Sequence, residues 1–520
     1  MQLLTTPWLP VIYRNGTQGK MAPVDLANEE IVDIAATRAD FQGAAWQFLI
    51  GLLQTVLAPR DGFGWDDVWE EGLSAQRLAS AFAPFEAAFT FGPQFPSFMQ
   101  DYQPLEGDSV SLALLLPEFP GSQALKRNTD HFVKRGSVEA MCPHCAALAL
   151  FSLQLNAPAG GKGYRTGLRG GGPITTLVEL HRYQTELQPP LWRKLWLNVM
   201  PQQATRMNTA REDDARVFPW LAPTRTSEKA SGLTTPEQAD PLQAYWGMPR
   251  RIRIDFAHTR RGECDLCGEA SEALLERMAV KNYGINYEGW IHPLTPYRVP
   301  QKEGGERFSV KGQPGGLLWR DWLGLNLGCQ SDNNLESPAR VMAFHLENQP
   351  EDSDTGLWAF GYDFDNMKAR CWYEHHLPVL RIPPAQQGAA RQTLQSATSF
   401  ATRTLSKLRS ALKEAWFENP KHASGDFSFI DADFWLQTQP DFLALLAQVK
   451  NDASGDDRAM LNAWQAVIWR FARNYFDQHA IRNPQEQTDF SRIMRARKKF
   501  LTPPSDGKKS KGKKTQEAMK

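Results

Sequence analysis

The clearest pattern of apolar and polar positions lies after Pro383-Pro384, where apolar residues recur every three or four positions. One stripe of this kind is Leu394, Ala397, Ala401, Leu405, Leu408, Leu412 and Trp416. Such spacing places one apolar face on a long helix. A second stripe follows at 460–475, and 430–449 and 485–501 supply two further helices with short links. We therefore predict a four-helix bundle over 385–502.

The preceding residues 1–384 combine both kinds of pattern and predict a large mixed domain of the α+β class. Helical periodicity is found at 41–58, 75–89 and 141–156. Strand-like patterns are a hairpin in 1–22 around Asn15-Gly16, an edge strand at 250–256, a hairpin within 301–316, and two short strands in 359–374 around Asp365-Asn366. The final segment 503–520 is rich in Lys and too polar to pack, so we predict a disordered tail.

Composition and hydropathy indicate a globular protein rather than a membrane protein. Of 520 residues, 42% are hydrophobic and 22% are charged, which is ordinary for a globular chain. The longest apolar run, 44–58, is interrupted by Gln47 and Gln54, so it is too short and too polar to span a bilayer. The first residues lack the pattern of a signal peptide. We expect a cytoplasmic protein with no membrane partner.

The formal net charge is zero, but the charge is distributed unevenly. From Arg492 onward there are 11 Lys/Arg against 2 Asp/Glu, so the remainder of the chain carries −9. Any contact with nucleic acid must therefore come from local basic patches. The basic tail could touch nucleic acid itself or could simply be solvated.

Four cysteines form two C-x-x-C pairs, Cys142 with Cys145 and Cys264 with Cys267. Two such pairs can place four thiolates tetrahedrally around Zn²⁺, and Gly268 suits the tight turn of a zinc knuckle. The pairs are 118 residues apart, so the metal would hold two distant segments together. We predict a structural zinc site.

Two other interpretations of the cysteines remain open. The sequence Cys-Pro-His-Cys is also used by oxidising disulfide enzymes, in which a helix N-terminus lowers the thiol pKa. Alternatively, the four thiols are reduced core residues without a ligand.

A glycine-rich stretch, GGKGYRTGLRGGGPITT, follows the predicted helix at 141–156 and carries Lys162, Arg165 and Arg169. It does not match the phosphate-binding templates G-x-x-x-x-G-K-[ST] or G-x-G-x-x-G. No catalytic motif stands in a convincing setting elsewhere, so we predict no enzymatic activity.

Recognition of nucleic acid remains as a function for this stretch. Glycine allows the main chain to approach a ligand closely, and the DNA minor groove is only about 6 Å wide. The main chain of the glycines could enter such a groove, while the cationic side chains bind phosphates and so fix the position of the stretch on the DNA. The alternative is a mobile surface loop with no ligand.

Several motifs in the same order resemble the CasA family, the large subunit of the type I-E CRISPR surveillance complex, Cascade. The resemblance runs from residue 3 to about residue 376, and its motifs are LLTTPWLPV, FPSFMQ, MCPHCAALALF, APAGGKGYRTGLRGGGPITTLV, GECDLCGE, GWIHPLTPY and GYDFDNMKARCWYE. The resemblance implies a non-catalytic subunit that recognises the protospacer-adjacent motif in duplex DNA, helps to open the duplex and recruits a nuclease–helicase.

The resemblance also implies which residues contact nucleic acid. The glycine loop that addresses the duplex is Gly160, Gly161, Lys162 and Gly163, where Lys162 departs from a mostly glycine family pattern. The family's DNA-contacting lysine corresponds to Lys281, and its wedge to the turn Asp365–Lys368, with Asn366 or Met367 at the tip and Lys368 after it. The family has glutamine at this tip. A loop that contacts the 5′ handle of the guide RNA corresponds to Phe132, Val133 and Lys134.

Each of these residues also has a simpler interpretation. Lys281 could be a solvated surface lysine and Phe132 a core residue. At the level of function, the alternatives are a purely structural, zinc-stabilised assembly subunit and, on the cysteines alone, a thiol oxidoreductase.

Overall fold

The structure is a computed structural model, and it describes residues 1–121, 126, 133–229, 232–301, 305–330, 334–365, 367–451, 457–482 and 489–502. Three of the sequence predictions lie outside the described residues: Phe132, Asn366 and the tail 503–520. No helix among the described residues is long and apolar enough to cross a bilayer.

The chain divides into two compact units. The first comprises Met1–Leu317 and Gly324–Arg381, and the second comprises Leu318–Leu323 and the chain from Ile382 onward. The domain boundary at 384 stays a prediction. The short segment Leu318–Leu323 was not predicted to belong with the C-terminal helices.

The helices of the first unit surround a core rich in aromatic side chains. They are α1 (Ala39–Val56), α2 (Gly62–Glu71), α3 (Ala75–Phe82), α4 (Pro143–Asn156), α5 (Leu191–Trp196), α6 (Gln202–Thr205), α7 (Trp322–Asn326, which begins within the second unit) and α8 (Arg340–Glu347). Phe48 of α1 is fully buried and makes edge-to-face contacts with the rings of Trp8, Phe89, Phe98, Phe151 and Trp246. These contacts fix α1 at the centre of the unit.

The strands of the first unit form several small sheets. The strands are β1 (Leu9–Tyr13), β2 (Gln18–Met21), β3 (Ile31–Ile34), β4 (Asp108–Ser111), β5 (Thr175–Tyr183), β6 (Leu233–Thr234), β7 (Arg251–Ile254), β8 (Thr259–Glu263), β9 (Ala270–Leu275), β10 (Arg277–Lys281), β11 (Asn286–Tyr287), β12 (Tyr297–Pro300), β13 (Phe308–Ser309), β14 (Cys329–Gln330), β15 (Asn334–Ser337), β16 (Ser353–Asp365) and β17 (Lys368–Pro378). Their orders are β2-β1-β3, β4-β10-β7, β11-β6, β13-β12-β15-β14, β17-β16-β5 and β8-β9. Only β11 and β6 pair in parallel among the described strands.

Two predicted strand features need correction. The strands of the 359–374 hairpin are not short, since β16 has 13 residues and β17 has 11. β16 lies between β17 and β5, and its residues 355–363 are continuously buried. A strand buried in this way has no alternation of apolar and polar residues, so the sequence pattern did not reveal the full length of β16. β7 occupies a sheet edge as predicted, but all of its residues are buried.

The second unit is helical, as predicted, but contains more helices than the sequence indicated. They are α9 (Pro384–Trp416), α10 (Ser428–Gln437), α11 (Gln439–Asn451), α12 (Asp457–Phe476) and α13 (Phe490–Phe500). The predicted single helix at 430–449 is divided at Thr438 into α10 and α11. Pro440 explains the division, because proline has no N–H for the helix and favours the first helical turn.

Candidate metal centre and nucleic-acid interface

The two C-x-x-C pairs converge in the first unit. The Sγ atoms of Cys142, Cys145, Cys264 and Cys267 all lie within 4.8 Å of one another. The Sγ atoms of Cys142 and Cys267 are 3.8 Å apart, which is about the edge of a tetrahedron whose centre is 2.3 Å from each sulfur. The cluster can therefore hold a metal ion, and the residues suit zinc.

Backbone geometry explains why the two pairs meet. Cys142 is the N-cap of α4, and its N–H donates to Cys264 Sγ at 3.2 Å. Gly268 closes the second pair with φ of +74° and donates its N–H to Cys264 O at 2.8 Å. The Asp265 carboxylate accepts the N–H groups of Glu139 and Ala140, at 2.7 and 2.8 Å. These bonds fix the chain on both sides of the cluster.

The four thiols differ strongly in acidity. Hydrogen bonds from Cys142 and Cys145 lower the pKa of Cys264, and a bond from Cys145 lowers the pKa of Cys267 to about 7. The pKa of Cys145 is raised because its thiol hydrogen is shared with Cys142, Cys264 and Cys267. The pKa of Cys142 is also raised, to about 12, by its hydrogen bond with Cys264 and by burial. Cys264 and Cys267 are therefore the two thiols favoured as thiolates, the form that binds metal. The convergence of a second pair on Cys142 and Cys145 favours a metal site over an isolated dithiol.

The glycine loop Gly160–Gly163 lies between α4 and β5 and requires its glycines. Gly161 and Gly163 have φ of +87° and +80°, a region that side chains rarely adopt. A Cβ on Gly163 would lie 2.9 Å from Asn282 Cβ, and one on Gly160 would lie 2.6 Å from Tyr164 Cβ. The loop is therefore a tightly seated turn.

Hydrogen bonds join this loop to the residues that directly follow Lys281. The side-chain amide of Asn282 donates to Lys162 O at 2.9 Å, and the N–H of Tyr283 donates to Gly163 O at 2.7 Å. Lys281 ends β10, and both Lys162 and Lys281 are exposed. The fold thus brings together two lysines that are 119 positions apart in the sequence.

The other two cations of the glycine-rich stretch do not face solvent, which corrects the expectation that they hold phosphates. Arg169 is buried and donates to Gln47, Thr175 and Thr295, and its burial lowers its pKa to about 10. Arg165 is half-buried and donates to the side chain and carbonyl of Ser227, at 2.7 and 2.8 Å. Only Lys162 of the three is fully exposed.

Arg250 lies beneath the loop and was not predicted as part of the site. Its guanidinium stands 4.8 Å from the centre of the Tyr164 ring and donates to Pro158 O. Burial lowers the pKa of Arg250 to about 10. The sequence placed Arg250 in a strand of alternating charged and apolar residues, and that local pattern gives no signal that a distant loop covers it.

The hairpin of β16 and β17 carries the residues that were predicted to form the wedge. Met367 and Lys368 are exposed at its turn, and Asn366 lies outside the described residues. Below the turn, Arg370 donates to both carboxylate oxygens of the buried Asp363, at 3.0 and 2.6 Å. This two-fold bond holds the two strands together close to the turn.

The segment predicted to contact guide RNA leads into the cysteine cluster. Val133 is half-buried and Lys134 is exposed, and Lys134 O accepts the N–H of Ser137 at 3.2 Å. The chain then reaches Glu139 and Ala140, which Asp265 holds. The cysteine cluster therefore anchors this segment as well as the start of α4.

Comparison with known proteins places this architecture in a family. The sequence model described as CRISPR-associated protein Cse1 matches residues 2–475. The chain belongs to the Cse1 family. Cse1 is the same protein as CasA, so the resemblance drawn from the motifs is confirmed.

Solved Cse1 structures share the fold over nearly their whole length. Thermobifida fusca Cse1 is 16% identical with a TM-score of 0.69, covering 96% of each chain. Thermus thermophilus CasA is 17% identical with a TM-score of 0.66, covering 96% of this chain and 97% of that one. A chain of a CRISPR RNA-guided surveillance complex is 14% identical with a TM-score of 0.68, covering 96% and 99%. At these identities the likeness establishes the Cse1 fold.

Proposed function

We propose that this Cse1-family chain is the non-catalytic large subunit of a cytoplasmic, RNA-guided CRISPR surveillance complex. In that complex it recognises the protospacer-adjacent motif in duplex DNA, promotes opening of the duplex and recruits the nuclease–helicase. Membership of the Cse1 family and the likeness to a chain of a surveillance complex support assembly with other Cascade subunits.

One observation carries the DNA-binding part of the proposal. The glycine loop is bonded to Asn282 and Tyr283, so exposed Lys162 and Lys281 belong to one rigid surface. Bare peptide groups at Gly161 and Gly163 can enter a minor groove, while the two ammonium groups contact the flanking phosphates. The exposed turn with Met367 and Lys368 supplies an apolar tip that can unstack a base step.

The cysteine cluster has a supporting role in this proposal. Bound zinc would hold the start of α4, whose end leads to the glycine loop, and the segment with Val133 and Lys134. Phe132, Val133 and Lys134 would contact the 5′ handle of the guide RNA. No step of DNA recognition depends on chemistry at the metal.

The DNA role is tested with the double variant Lys162→Ala/Lys281→Ala in the reconstituted complex. Binding of a motif-bearing duplex should weaken, and the slope of log K against log salt should become shallower by up to about 2, because each lost phosphate contact contributes about 0.9. Lys421→Ala removes an exposed lysine of the second unit and is the matched control.

A second experiment distinguishes recognition of the motif from a purely structural role in assembly. The same duplexes, with and without the motif, are presented to a complex assembled without this chain. Loss of motif discrimination is expected. Unchanged discrimination, together with an unchanged salt slope in the double variant, would leave only a structural role for the chain.

A further inference from the structure

A polar pocket of about 330 Å³ lies between the glycine-rich stretch and the β16–β17 hairpin. It is formed by three chain segments of the first unit: the stretch around Thr166 and Gly172, the segment with Lys311 and Gln313, and hairpin residues Phe364 and Arg370. This volume is at the small end of the range of about 300–1,000 Å³ for small-molecule sites. It has room for one nucleotide but not for a duplex.

Glycines allow the walls of this pocket to converge. A Cβ on Gly172, whose φ is +63°, would lie 2.5 Å from the Phe364 ring and 2.8 Å from Tyr362 O. A Cβ on Gly171 would lie 3.1 Å from Pro158 Cα. The N–H of Ile174 also donates to Val310 O at 2.8 Å. Three backbones are therefore held in contact, and the pocket is built into the fold.

The charge of the pocket comes from Lys311. The charge of Arg370 is balanced by Asp363 and Asp365, at 2.6 and 3.9 Å. Lys311 is exposed, and none of the carboxylates that the structure describes lies within 4.0 Å of its Nζ. Its Nζ lies 3.8 Å from the position that a Cβ on Gly170 would take, so the ammonium group lies beside Gly170, the neighbour of the pocket residue Gly171. The pocket therefore attracts an anion.

The remaining walls suit a nucleotide rather than a simple inorganic anion. Gln313 offers an amide, Thr166 a hydroxyl and Phe364 an apolar ring, which are the groups that hold an unstacked base. Phe364 and Arg370 lie close in sequence to the turn at Met367, where the proposed wedge would meet the duplex. A base forced out of the stack there would have a receptor nearby.

We propose that this pocket binds one unpaired nucleotide extruded from the target duplex, with its phosphate on Lys311 and its base between Gln313 and Phe364. The inference rests on the proposed function, because it requires that the chain opens DNA. Capture of the base would offset part of the cost of unstacking and would hinder re-pairing. Opening of the duplex would then depend on the pocket as well as on the wedge.

The test uses the reconstituted complex and motif-bearing duplexes in which single abasic nucleotides replace each of the first positions beside the motif, on either strand. Gln313→Trp fills the pocket, and Gln313→Ala at the same exposed position keeps it open. The wild-type complex should bind the intact duplex about tenfold more tightly than Gln313→Trp does, since contacts to a single base are worth that much, and this advantage should disappear at one abasic position. Gln313→Ala removes the amide but leaves the pocket open, so it should keep only part of this advantage over Gln313→Trp.

On the duplex with that abasic position, Gln313→Trp should bind as tightly as the wild type, because there is no base for the pocket to capture. Lys311→Ala should weaken binding of the intact duplex more than binding of this abasic duplex, whereas Lys421→Ala should change neither. If Gln313→Trp fails to assemble into the complex, Lys311→Ala carries the test.

If the ratio of affinities for abasic and intact duplexes is the same in the wild type, Gln313→Trp and Lys311→Ala at every position, the pocket does not bind an extruded nucleotide. That result leaves motif recognition intact. Failure of the proposed function gives a different result. In that case the wild-type complex does not distinguish duplexes with and without the motif at all.

Discussion

Single residues of the cysteine cluster determine whether the start of α4 and the segment around Cys264 are held together. The thiols of Cys142, Cys145, Cys264 and Cys267 approach one another closely in the interior of the first unit. Four such groups cannot all carry negative charge without a counterion, because like charges repel strongly at these distances. A bound divalent cation would remove this repulsion, so metal binding and folding would stabilise each other.

Replacement of one ligand should therefore remove both metal and stability. We expect Cys264→Ser to lower the zinc content from one ion per chain and to reduce the free energy of unfolding by about 3 kcal/mol or more. Zinc content is measured by elemental analysis, and stability by thermal unfolding with and without a chelator.

Cys371→Ser is the matched control, because Cys371 lies outside the cluster and should affect neither quantity. Equal chelator sensitivity in Cys264→Ser and the wild type would contradict a metal bound at this cluster.

At the scale of elements, α8 packs against the β17-β16-β5 sheet through a buried histidine. His345 lies on α8, and its Nε2 lies 3.0 Å from the hydroxyl of Thr355 on β16. Burial, together with the smaller effect of the nearby charge of Arg381, lowers the pKa of His345 to about 4. The folded protein thus holds His345 neutral under conditions in which an unfolded chain would protonate it.

The free energy of unfolding should depend on pH, because His345 has a lower pKa in the folded chain than in the unfolded chain. The unfolded pKa is near 6.5, so the unfolded chain takes up a proton as the pH falls from 6.5 towards 4, and the folded chain does not. The contribution of His345 to the free energy of unfolding is therefore fully present above pH 6.5 and decreases below it. At pH 5 the loss should be about 2 kcal/mol.

His345→Gln keeps a partner for Thr355 but cannot titrate. Between pH 7 and pH 5, the wild type should therefore lose about 2 kcal/mol more unfolding free energy than this variant. The comparison is made by denaturant unfolding at both pH values. Parallel losses in the two proteins would show that His345 is not held neutral.

At the scale of the whole molecule, the helical unit is assembled from two separate parts of the chain. Trp319, in the segment Leu318–Leu323, is fully buried and stacks on Phe442 of α11, with ring centres 4.5 Å apart. Its indole N–H donates to the Thr438 hydroxyl at 3.1 Å, at the point where α10 and α11 meet. Residues far outside the predicted bundle thus complete its core.

Truncation of this side chain should destabilise the helical unit selectively. Trp319→Ala is expected to cost about 3–5 kcal/mol, because it leaves a large cavity among aromatic rings. Hydrogen exchange should show lower protection in α10 and α11, while α4 of the first unit keeps its protection.

The exposed Leu436 on α10 offers a matched control, and Leu436→Ala should leave exchange nearly unchanged. Equal loss of protection in α4 and α11 after Trp319→Ala would instead indicate that both units unfold together.

The sequence alone determined the features that depend on neighbouring residues. The apolar stripe from Leu394 to Leu412 predicted α9, because residues three or four apart share one face of a helix. The spacing within each C-x-x-C pair predicted metal ligands, since two thiols so spaced already form half of a site. The ordered motifs identified the family before any geometry was known.

Only the tertiary structure decided which residues of these motifs face solvent and which distant residues they meet. Lys162 and Arg169 are equivalent cations in the sequence, yet one is exposed and the other is buried against Gln47. The placement of Asn282 against Lys162, and of Trp319 in the helical core, likewise depends on contacts between remote segments. Local periodicity contains no information about such pairs, because burial is decided by the packing of the whole chain.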